Sequence, residues 1–397
     1  MGTYSGWYSV RDECFYTESE LVDGKAPTGA DVEWVAKEQS YFFRLSAFEE
    51  KLLQHYRDHP DFIAPESRKN EVVSFVQGGL RDLSISRTSF SWGVPVPNDP
   101  DHVMYVWIDA LTNYISALGY PNSDNFRKFW PASVHVVGKD ILRFHAVYWP
   151  ALLMAADLPL PQRLFAHGWW TKEGQKISKS LGNVIDPVEL VEKYGVDQTR
   201  FFLMAEVTFG SDGDFSDTNM IQKVNTNLAN ELGNLCQRTL SMVFKNCDQA
   251  VPAEVGEYTK EDEELLAAAR SLHAATSEAV SRQAIEKYVQ ALVSMIWQAN
   301  KYIDEMAPWA LKKTDPARMA TVLYVILEVL RYTAILYQPL IPTSANRILD
   351  QLKVPEGERT FAHLNDSFAV VKGTSIDKPE VIFPRLEMPE EALVEAK

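Results

Sequence analysis

The chain has 397 residues, 46% of them hydrophobic and 23% charged, and its formal net charge at pH 7 is −15. This composition is typical of a soluble globular protein with two or three domains and excludes a disordered chain. The acidic balance argues against a protein that coats nucleic acid non-specifically, although local basic patches can hold one folded RNA. No apolar run is predicted to span a membrane and no leader pattern opens the sequence, so we expect a cytoplasmic protein.

The cysteines Cys14, Cys236 and Cys247 are odd in number and form no C-x-x-C pair. This spacing predicts neither a disulfide framework nor a structural zinc site, because both need paired thiols at suitable separations. We therefore expect a reduced, metal-free chain.

The first hundred residues predict a small strand-rich insertion at 1–38 and a helix over 67–80. Between them, residues 39–57 have apolar residues at helical spacing, which are Phe42, Leu45, Phe48, Leu52 and Tyr56. From 102 the pattern alternates between strands and helices, which predicts a partial doubly wound, Rossmann-type parallel sheet. The predicted strands are HVMYVWIDA at 102–110, VHVVG at 134–138 and RLFAH at 163–167, with helices over 110–120 and 141–156 between them.

The second half is helical. Helices are predicted over 187–194, 197–206, 218–247, 261–281, 283–306 and 317–339, with a shorter one after Pro342. Apolar stripes such as Leu228, Leu232 and Leu235 are typical of bundle cores. The fold class is thus α/β plus all-α: a partial parallel sheet with an insertion domain, followed by a C-terminal helical bundle.

The stretch HGWWTKEGQKISKSLGNVIDP at 167–187 is rich in lysine and glycine and stands between an apolar strand and a helix. Lys176 and Lys179, with Ser178 between them, can close over a polyphosphate and neutralise the charge that develops on a departing pyrophosphate. Glycines on both sides allow such a loop to move. A solvated, charged hairpin explains the same residues, so the pattern leaves both readings open.

Aromatic and polar side chains gather near the predicted carboxyl ends of the strands: Trp107, Tyr114, Asp140, His145 and Trp149. Ligands of open α/β sheets bind beyond these ends, so the five side chains can form one pocket for a small zwitterion with an apolar, polarizable side chain. Aromatics in a hydrophobic core, a helix-capping Asp140 and a buried structural His145 are the alternative.

Asn234 and Arg238 lie four residues apart on one predicted helix, and Trp309 follows Pro308 beyond the end of another. An amide, a guanidinium and an exposed indole are suited to reading and stacking unpaired bases of an RNA loop. A solvated helix face with a tryptophan at the end of the bundle fits equally well.

The lysine stretch resembles the KMSKS signature of class I aminoacyl-tRNA synthetases, with Ile177 at the usual methionine position. YVWIDALTNY, GKDILRFHAVYW, SRTSFSWGVPVP and the helical segments GNLCQR and DEMAPW are similar to methionyl-tRNA synthetases, in the same order over nearly the whole chain. The resemblance implies methionine activation with ATP and Mg²⁺ to methionyl-adenylate, then transfer to tRNA(Met).

The resemblance also implies residue roles. Methionine is bound by Trp107, Tyr114, Asp140, His145 and Trp149; ATP is bound by His167, Gly168, Lys176 and Lys179; catalysis rests on Lys176, Ser178 and Lys179; the CAU anticodon is read by Asn234, Arg238 and Trp309; and Arg87 supports the active site. The implied domains are the end of the connective insertion and the return to the catalytic domain at 1–100, the second nucleotide-binding half at 101–170, the KMSKS-loop and stem-contact region at 171–216 and the anticodon-binding bundle at 217–397.

The sequence departs from the family in one respect, because no His-Ile-Gly-His signature occurs in it. We expect it to be the carboxy-terminal portion of a longer synthetase or the product of an internal start. A class I synthetase for another amino acid, and a tRNA-binding fragment or paralogue without adenylation activity, are the alternatives. The cysteine spacing also differs from that of zinc-carrying relatives. No membrane partner is expected, and a monomer is favoured.

Overall fold

The computed structural model describes residues 1–11, 14–177 and 182–388. Ser178 and Lys179, assigned above to the phosphate loop, lie outside the described residues. The chain divides into two compact units, Met1–His167 and Gly168–Lys397.

The first unit begins with three antiparallel strands in the order β2-β1-β3. They are β1 (Gly2–Ser9), β2 (Cys14–Tyr16) and β3 (Glu33–Ser40). The strands predicted for residues 1–38 are therefore confirmed. Their aromatic and β-branched residues favour strands because they suit a pleated, half-buried surface.

The remaining elements of the first unit are β4 (Phe42–Phe43), α1 (Glu49–Asp58), β5 (Ile63–Ala64), α2 (Glu66–Gln77), β6 (Leu83–Ser84), β7 (Ser86–Arg87), β8 (Pro95–Val96), β9 (Asp99–Met104), α3 (Val106–Ser116), α4 (Asp124–Phe129), β10 (His135–Gly138), α5 (Trp149–Ala155) and β11 (Leu164–His167). A 3₁₀ turn at Lys139–Ile141 and a π-helical turn at Phe144–Tyr148 connect β10 to α5.

The parallel sheet has the strand order β10-β11-β5. Helix α2 follows β5 and helix α5 precedes β11, and they contribute Val72, Val76 and Ala151 to the core that includes the three strands. The partial parallel sheet is confirmed, but its third strand was not predicted. Ile63–Ala64 is too short to show a period in the sequence.

Two predictions about individual elements were wrong. HVMYVWIDA is not one buried strand of the parallel sheet, because β9 ends at Met104 in an antiparallel sheet with β7 and β8, and α3 begins at Val106. Trp107 therefore lies in the first turn of a helix and not at the end of a strand. Phe42 is likewise in a strand, since it pairs with Ser84 of β6. Continuous apolar runs do not separate strand from helix by their period.

The second unit contains a small sheet of β12 (Trp170–Lys172), β13 (Gln175–Lys176) and β14 (Gly213–Phe215), and its other elements are mainly helices. These helices are α6 (Pro187–Tyr194), α7 (Val196–Ala205), α8 (Asp217–Val224), α9 (Asn234–Asn246), α10 (Lys260–Ser281), α11 (Ile285–Met306), α12 (Pro308–Thr314), α13 (Pro316–Tyr337) and α14 (Pro342–Gln351). A π-helical segment at Asn225–Gly233 joins α8 to α9. The predicted helical bundle is confirmed.

The sequence prediction that no run is long and apolar enough to cross a membrane was wrong for α13. By length and composition this helix passes that test, yet 94% of its most apolar window is buried inside the protein. It also carries the ion pair Glu328–Arg331, in which the arginine is fully buried. Its apolar surface therefore forms the centre of the bundle core.

Candidate functional site

Four of the five predicted pocket residues lie together in the first unit. The indole of Trp107 stacks on Phe144, with ring centroids 3.9 Å apart and planes at 9°, and meets His145 edge-on at 6.1 Å. Tyr114 lies 6.3 Å from Trp149 between ring centroids. Helix α3 and the segment from Phe144 to Trp149 thus bring these rings together in one cluster of mutually contacting aromatic side chains.

A hydrogen-bond chain fixes the polar part of this aromatic group. Tyr114 Oη lies 2.8 Å from His145 Nε2, and His145 Nδ1 lies 2.9 Å from the carbonyl oxygen of Ile141. Burial lowers the pKa of His145, although the hydrogen bond to Ile141 acts in the opposite direction. A neutral ring must donate to the carbonyl through Nδ1, so Nε2 accepts from the tyrosine hydroxyl.

Two further residues of this pocket, His135 and Phe144, were missed by the sequence analysis. His135 begins β10, is buried, and meets the Tyr114 ring edge-on at 4.1 Å. Burial, followed by the nearby His145, lowers the pKa of His135 to about 4. Phe144 and Tyr148 lie four residues apart within an apolar run. This spacing is typical of an ordinary core helix, so it did not single out Phe144.

Asp140 lies at the carboxyl ends of the parallel strands. A Cβ placed on Gly138 would be 2.5 Å from Asp140 Oδ1 and 3.9 Å from His167 Cε1. Gly138 and His167 are partners in register where β10 and β11 end. Absence of a side chain at Gly138 therefore lets the exposed carboxylate of Asp140 lie against the strand end, where an ammonium group can reach it.

Arg87 is buried behind the start of α3. Its Nη1 donates to Ser84 Oγ at 2.9 Å, and its guanidinium lies 4.4 Å from the centre of the Tyr105 ring. The amide of Tyr105 in turn donates to the carbonyl of Ile85. Arg87 therefore packs on the residue that directly precedes α3, the helix that contains Trp107.

In the second unit, Lys176 is exposed on the β12–β13 hairpin, with Nζ 5.0 Å from the centre of the Trp169 ring. Gly168 packs so closely on the 211–212 backbone that a Cβ would lie 2.2 Å from the Ser211 oxygen. The predicted ATP-binding residues are divided, since His167 ends the first unit and Gly168 opens the second. The described residues thus form a charged hairpin that leads into the remainder of the lysine stretch.

The three predicted RNA-reading residues are also close in space. Arg238 lies 5.5 Å from the centre of the Trp309 ring, and its Nη2 donates to Asp304 Oδ1 at 2.7 Å. Asn234 is exposed one turn before Arg238 on α9, while Trp309 is 49% exposed. Asp304 was not singled out from the sequence. An indole, a guanidinium and an amide therefore face solvent within one surface, as base recognition requires.

The part of the chain that the structure describes contains no cluster of three or more His, Cys, Asp or Glu side chains suited to a metal ion. A metal-free protein remains a prediction. The predicted pocket residues supply aromatic rings, one carboxylate and a histidine with a lowered pKa.

Comparison with known proteins agrees with this geometry. The family described as tRNA synthetases class I (M) matches residues 11–240, and the anticodon binding domain of methionyl tRNA ligase matches residues 251–396. The methionine-tRNA ligase of Rickettsia felis is 57% identical over 390 residues, which cover 97% of this chain and 76% of the relative. That of Rhizobium meliloti is 54% identical over 396 residues, which cover 98% of this chain and 76% of the relative.

Solved structures give the same result. The methionyl-tRNA synthetase of Mycobacterium tuberculosis bound by methionyl-adenylate superposes with a TM-score of 0.91 at 53% identity, covering 96% of this chain and 77% of that one. Its apo form gives a TM-score of 0.90 at 52% identity, covering 98% and 78%. The class I family model matches more than half of the chain and agrees with its partial Rossmann-type sheet, so the chain is a class I aminoacyl-tRNA synthetase. Within that class, the chain belongs to the methionyl-tRNA synthetase family.

Proposed function

We propose that the aromatic pocket of the first unit binds the methionine side chain and that Asp140 receives its ammonium group. The chain is a methionine-tRNA ligase, as its family membership shows. The observation that carries the assignment of the site is the grouping of Trp107, Tyr114, His145 and Trp149 around one hydrogen-bond chain. Flat, polarizable walls favour a thioether, and a neutral histidine adds no competing positive charge.

Activation joins the methionine carboxylate to the α-phosphate of ATP and releases pyrophosphate. Lys176 and Lys179 neutralise the charge that develops on the leaving pyrophosphate and Ser178 donates a hydrogen bond to it, while His167 and Gly168 bind the adenosine part. Mg²⁺ arrives on the ATP phosphates. The terminal ribose of tRNA then attacks the acyl carbon and releases AMP, so the protein supplies position and charge and no covalent intermediate.

The surface formed by Asn234, Arg238 and Trp309 reads the CAU anticodon. The proposal rests on their exposure, on the 5.5 Å approach of Arg238 to the Trp309 ring and on the match of residues 251–396 to the anticodon binding domain. The indole stacks one base, and the guanidinium and amide donate to base edges. The domain boundaries given above, a cytoplasmic location and a monomeric state belong to the same proposal.

The test is pyrophosphate exchange into ATP with methionine, and with leucine, isoleucine, valine and cysteine in parallel. We expect exchange with methionine alone. Asp140→Asn should raise the methionine KM by about 10- to 100-fold, since it removes one charge-assisted hydrogen bond. Asp124→Asn, which alters an exposed carboxylate on α4 paired with Arg127, is the matched control.

Preferred exchange with another amino acid would replace the proposal by a synthetase of different specificity. Absence of exchange with every amino acid, together with retained tRNA binding, would replace it by an RNA-binding protein without adenylation activity. An unchanged methionine KM in Asp140→Asn would remove Asp140 from the site.

A further inference from the structure

Trp297 is an exposed tryptophan that none of the roles above employs. It lies on α11 and is 53% exposed. Among the described residues of the second unit, Trp297 and Trp309 are the exposed tryptophans. A single exposed aromatic residue is common on protein surfaces and by itself indicates nothing. Its position relative to the anticodon-reading residues is what gives it meaning.

Trp297 shares a helix face with two residues that contact the anticodon-reading helix. Asn300 and Asp304 follow it by three and seven residues, so all three point in similar directions. Asn300 Nδ2 donates to Glu231 Oε2 at 2.8 Å, and Asp304 accepts from Arg238 at 2.7 Å. The face of α11 that contains Trp297 is therefore continuous with the surface around Arg238.

The residues that face Asn300 and Asp304 from the neighbouring helical segment form a similar row. Glu231, Asn234 and Arg238 are separated by three and four residues and lie on one face of the helical segment that ends in α9. Trp309 lies against Arg238 at one end of the row, and Trp297 lies at the other. From Trp297 to the end of α11 at Met306 the helix rises about 14 Å, the length of about four stacked bases, and Trp309 follows three residues later.

A cation accompanies the second indole. Lys301 is exposed one turn after Trp297 on the same helix, and its ammonium group lies near Glu305. Its ion pair with Glu305 is 3.7 Å long and solvent-exposed, which makes it weak. The ammonium group is therefore available to a phosphate group beside the tryptophan.

We propose that Trp297 is a second stacking platform, which takes an unpaired base of the tRNA loop next to the anticodon triplet, with Lys301 at the adjoining phosphate. The inference rests on the proposed reading of the anticodon by Asn234, Arg238 and Trp309. It extends that surface by one base contact, since an RNA strand that places a base on Trp309 continues along the same row. Stacking on an indole tolerates any base, so this contact adds affinity without sequence preference.

The test is fluorescence anisotropy of a labelled RNA stem-loop with a CAU anticodon, titrated with the full chain and its variants. Trp297→Ala should weaken binding by about tenfold, and Trp297→Phe should restore most of the loss because it keeps a stacking ring. An RNA with an abasic site at the flanking loop nucleotide should lose affinity for the parent chain, and Trp297→Ala should then cause no further loss. Phe129→Ala, which removes a 54% exposed ring from the first unit, is the control and should bind like the parent.

Trp309→Ala is measured in parallel to separate the two proposals. Weakened binding in Trp309→Ala with unchanged binding in Trp297→Ala would overturn the second platform and leave the anticodon surface in place. Unchanged binding in both variants would overturn both. If Trp297→Ala weakens binding equally on RNA with and without the abasic site, the indole acts on something other than this base, and the inference fails.

Discussion

The hydroxyl of Tyr114 donates to His145 Nε2 at 2.8 Å, while the opposite ring nitrogen, Nδ1, donates to the carbonyl of Ile141 at 2.9 Å. The backbone carbonyl thereby selects the histidine tautomer, and the tautomer sets the direction of the tyrosine hydroxyl. One main-chain atom of the turn between β10 and α5 thus controls the orientation of a side chain on α3.

We expect Tyr114→Phe to raise the dissociation constant of methionine by about tenfold. The change leaves Nε2 of a buried histidine without its donor, and an unmet hydrogen bond of this kind costs about 1–3 kcal/mol. Isothermal titration with L-methionine measures the effect. Tyr41→Phe also deletes a tyrosine hydroxyl, which there donates to Asp99, and should leave methionine affinity unchanged. Equal affinities in both variants would contradict the role of the hydrogen bond.

His135 should make the first unit sensitive to acid. Its pKa of about 4 lies below the ordinary value of 6.5, so the unfolded chain takes up the proton first as the pH falls. The contribution of His135 to the free energy of unfolding is fully present above pH 6.5 and decreases between pH 6.5 and 4, by at most about 3 kcal/mol. His145, whose pKa is also lowered, adds its own decrease in the free energy of unfolding.

Hydrogen exchange of peptides from 134–167, measured between pH 4.5 and 8 and corrected for the intrinsic exchange rate, follows this stability. His135→Gln should flatten the pH dependence, because glutamine does not titrate in this range. Comparison at pH 8, where the histidine is neutral in both states, separates any packing loss from the titration. A variant with the parent's pH dependence would show that His135 does not contribute.

Removal of one partner of the ion pair Glu328–Arg331 should lower the free energy of unfolding. Arg331 Nη2 lies 2.9 Å from Glu328 Oε2, and Nη1 donates to the His363 carbonyl at 2.8 Å. Arg331→Met leaves a buried carboxylate without its partner and should lower the free energy of unfolding by about 3–5 kcal/mol. The double variant Glu328→Gln with Arg331→Met should regain much of this, as reported by hydrogen exchange of peptides from 316–337. Equal stability of the single variant and the parent would contradict the prediction.

Lys176→Met should slow methionine-dependent pyrophosphate exchange by about 100-fold, since it removes a charge that stabilises the leaving group. Methionine KM should stay within a factor of two, because Lys176 is not one of the residues proposed to bind the methionine side chain or its ammonium group. Lys172→Met, on the paired strand of the same hairpin, is the control for a general loss of positive charge. A larger change in methionine KM than in kcat would assign Lys176 to binding.

The sequence by itself determined the helices of the bundle, the strands β10 and β11 and the family resemblance of the lysine stretch. These features follow from local properties. Apolar residues that recur at helical spacing over a long stretch predict helices such as α10 and α11, and a signature is a contiguous stretch of sequence. The sequence also named Trp107, Tyr114, Asp140, His145 and Trp149 as candidates, but it could not decide between a pocket and a core, because spacing does not show which rings meet.

The tertiary structure decided the contacts between distant segments. It shows that Trp107 lies in α3 and not at the end of a strand, that Ile63–Ala64 pairs with β11, and that His135 contacts the ring of Tyr114. It also paired Arg238 with Asp304, 66 residues further along the chain. Strand pairing, ring contacts and ion pairs between distant residues depend on the packing of the whole unit, and a local pattern of residue types does not specify that packing.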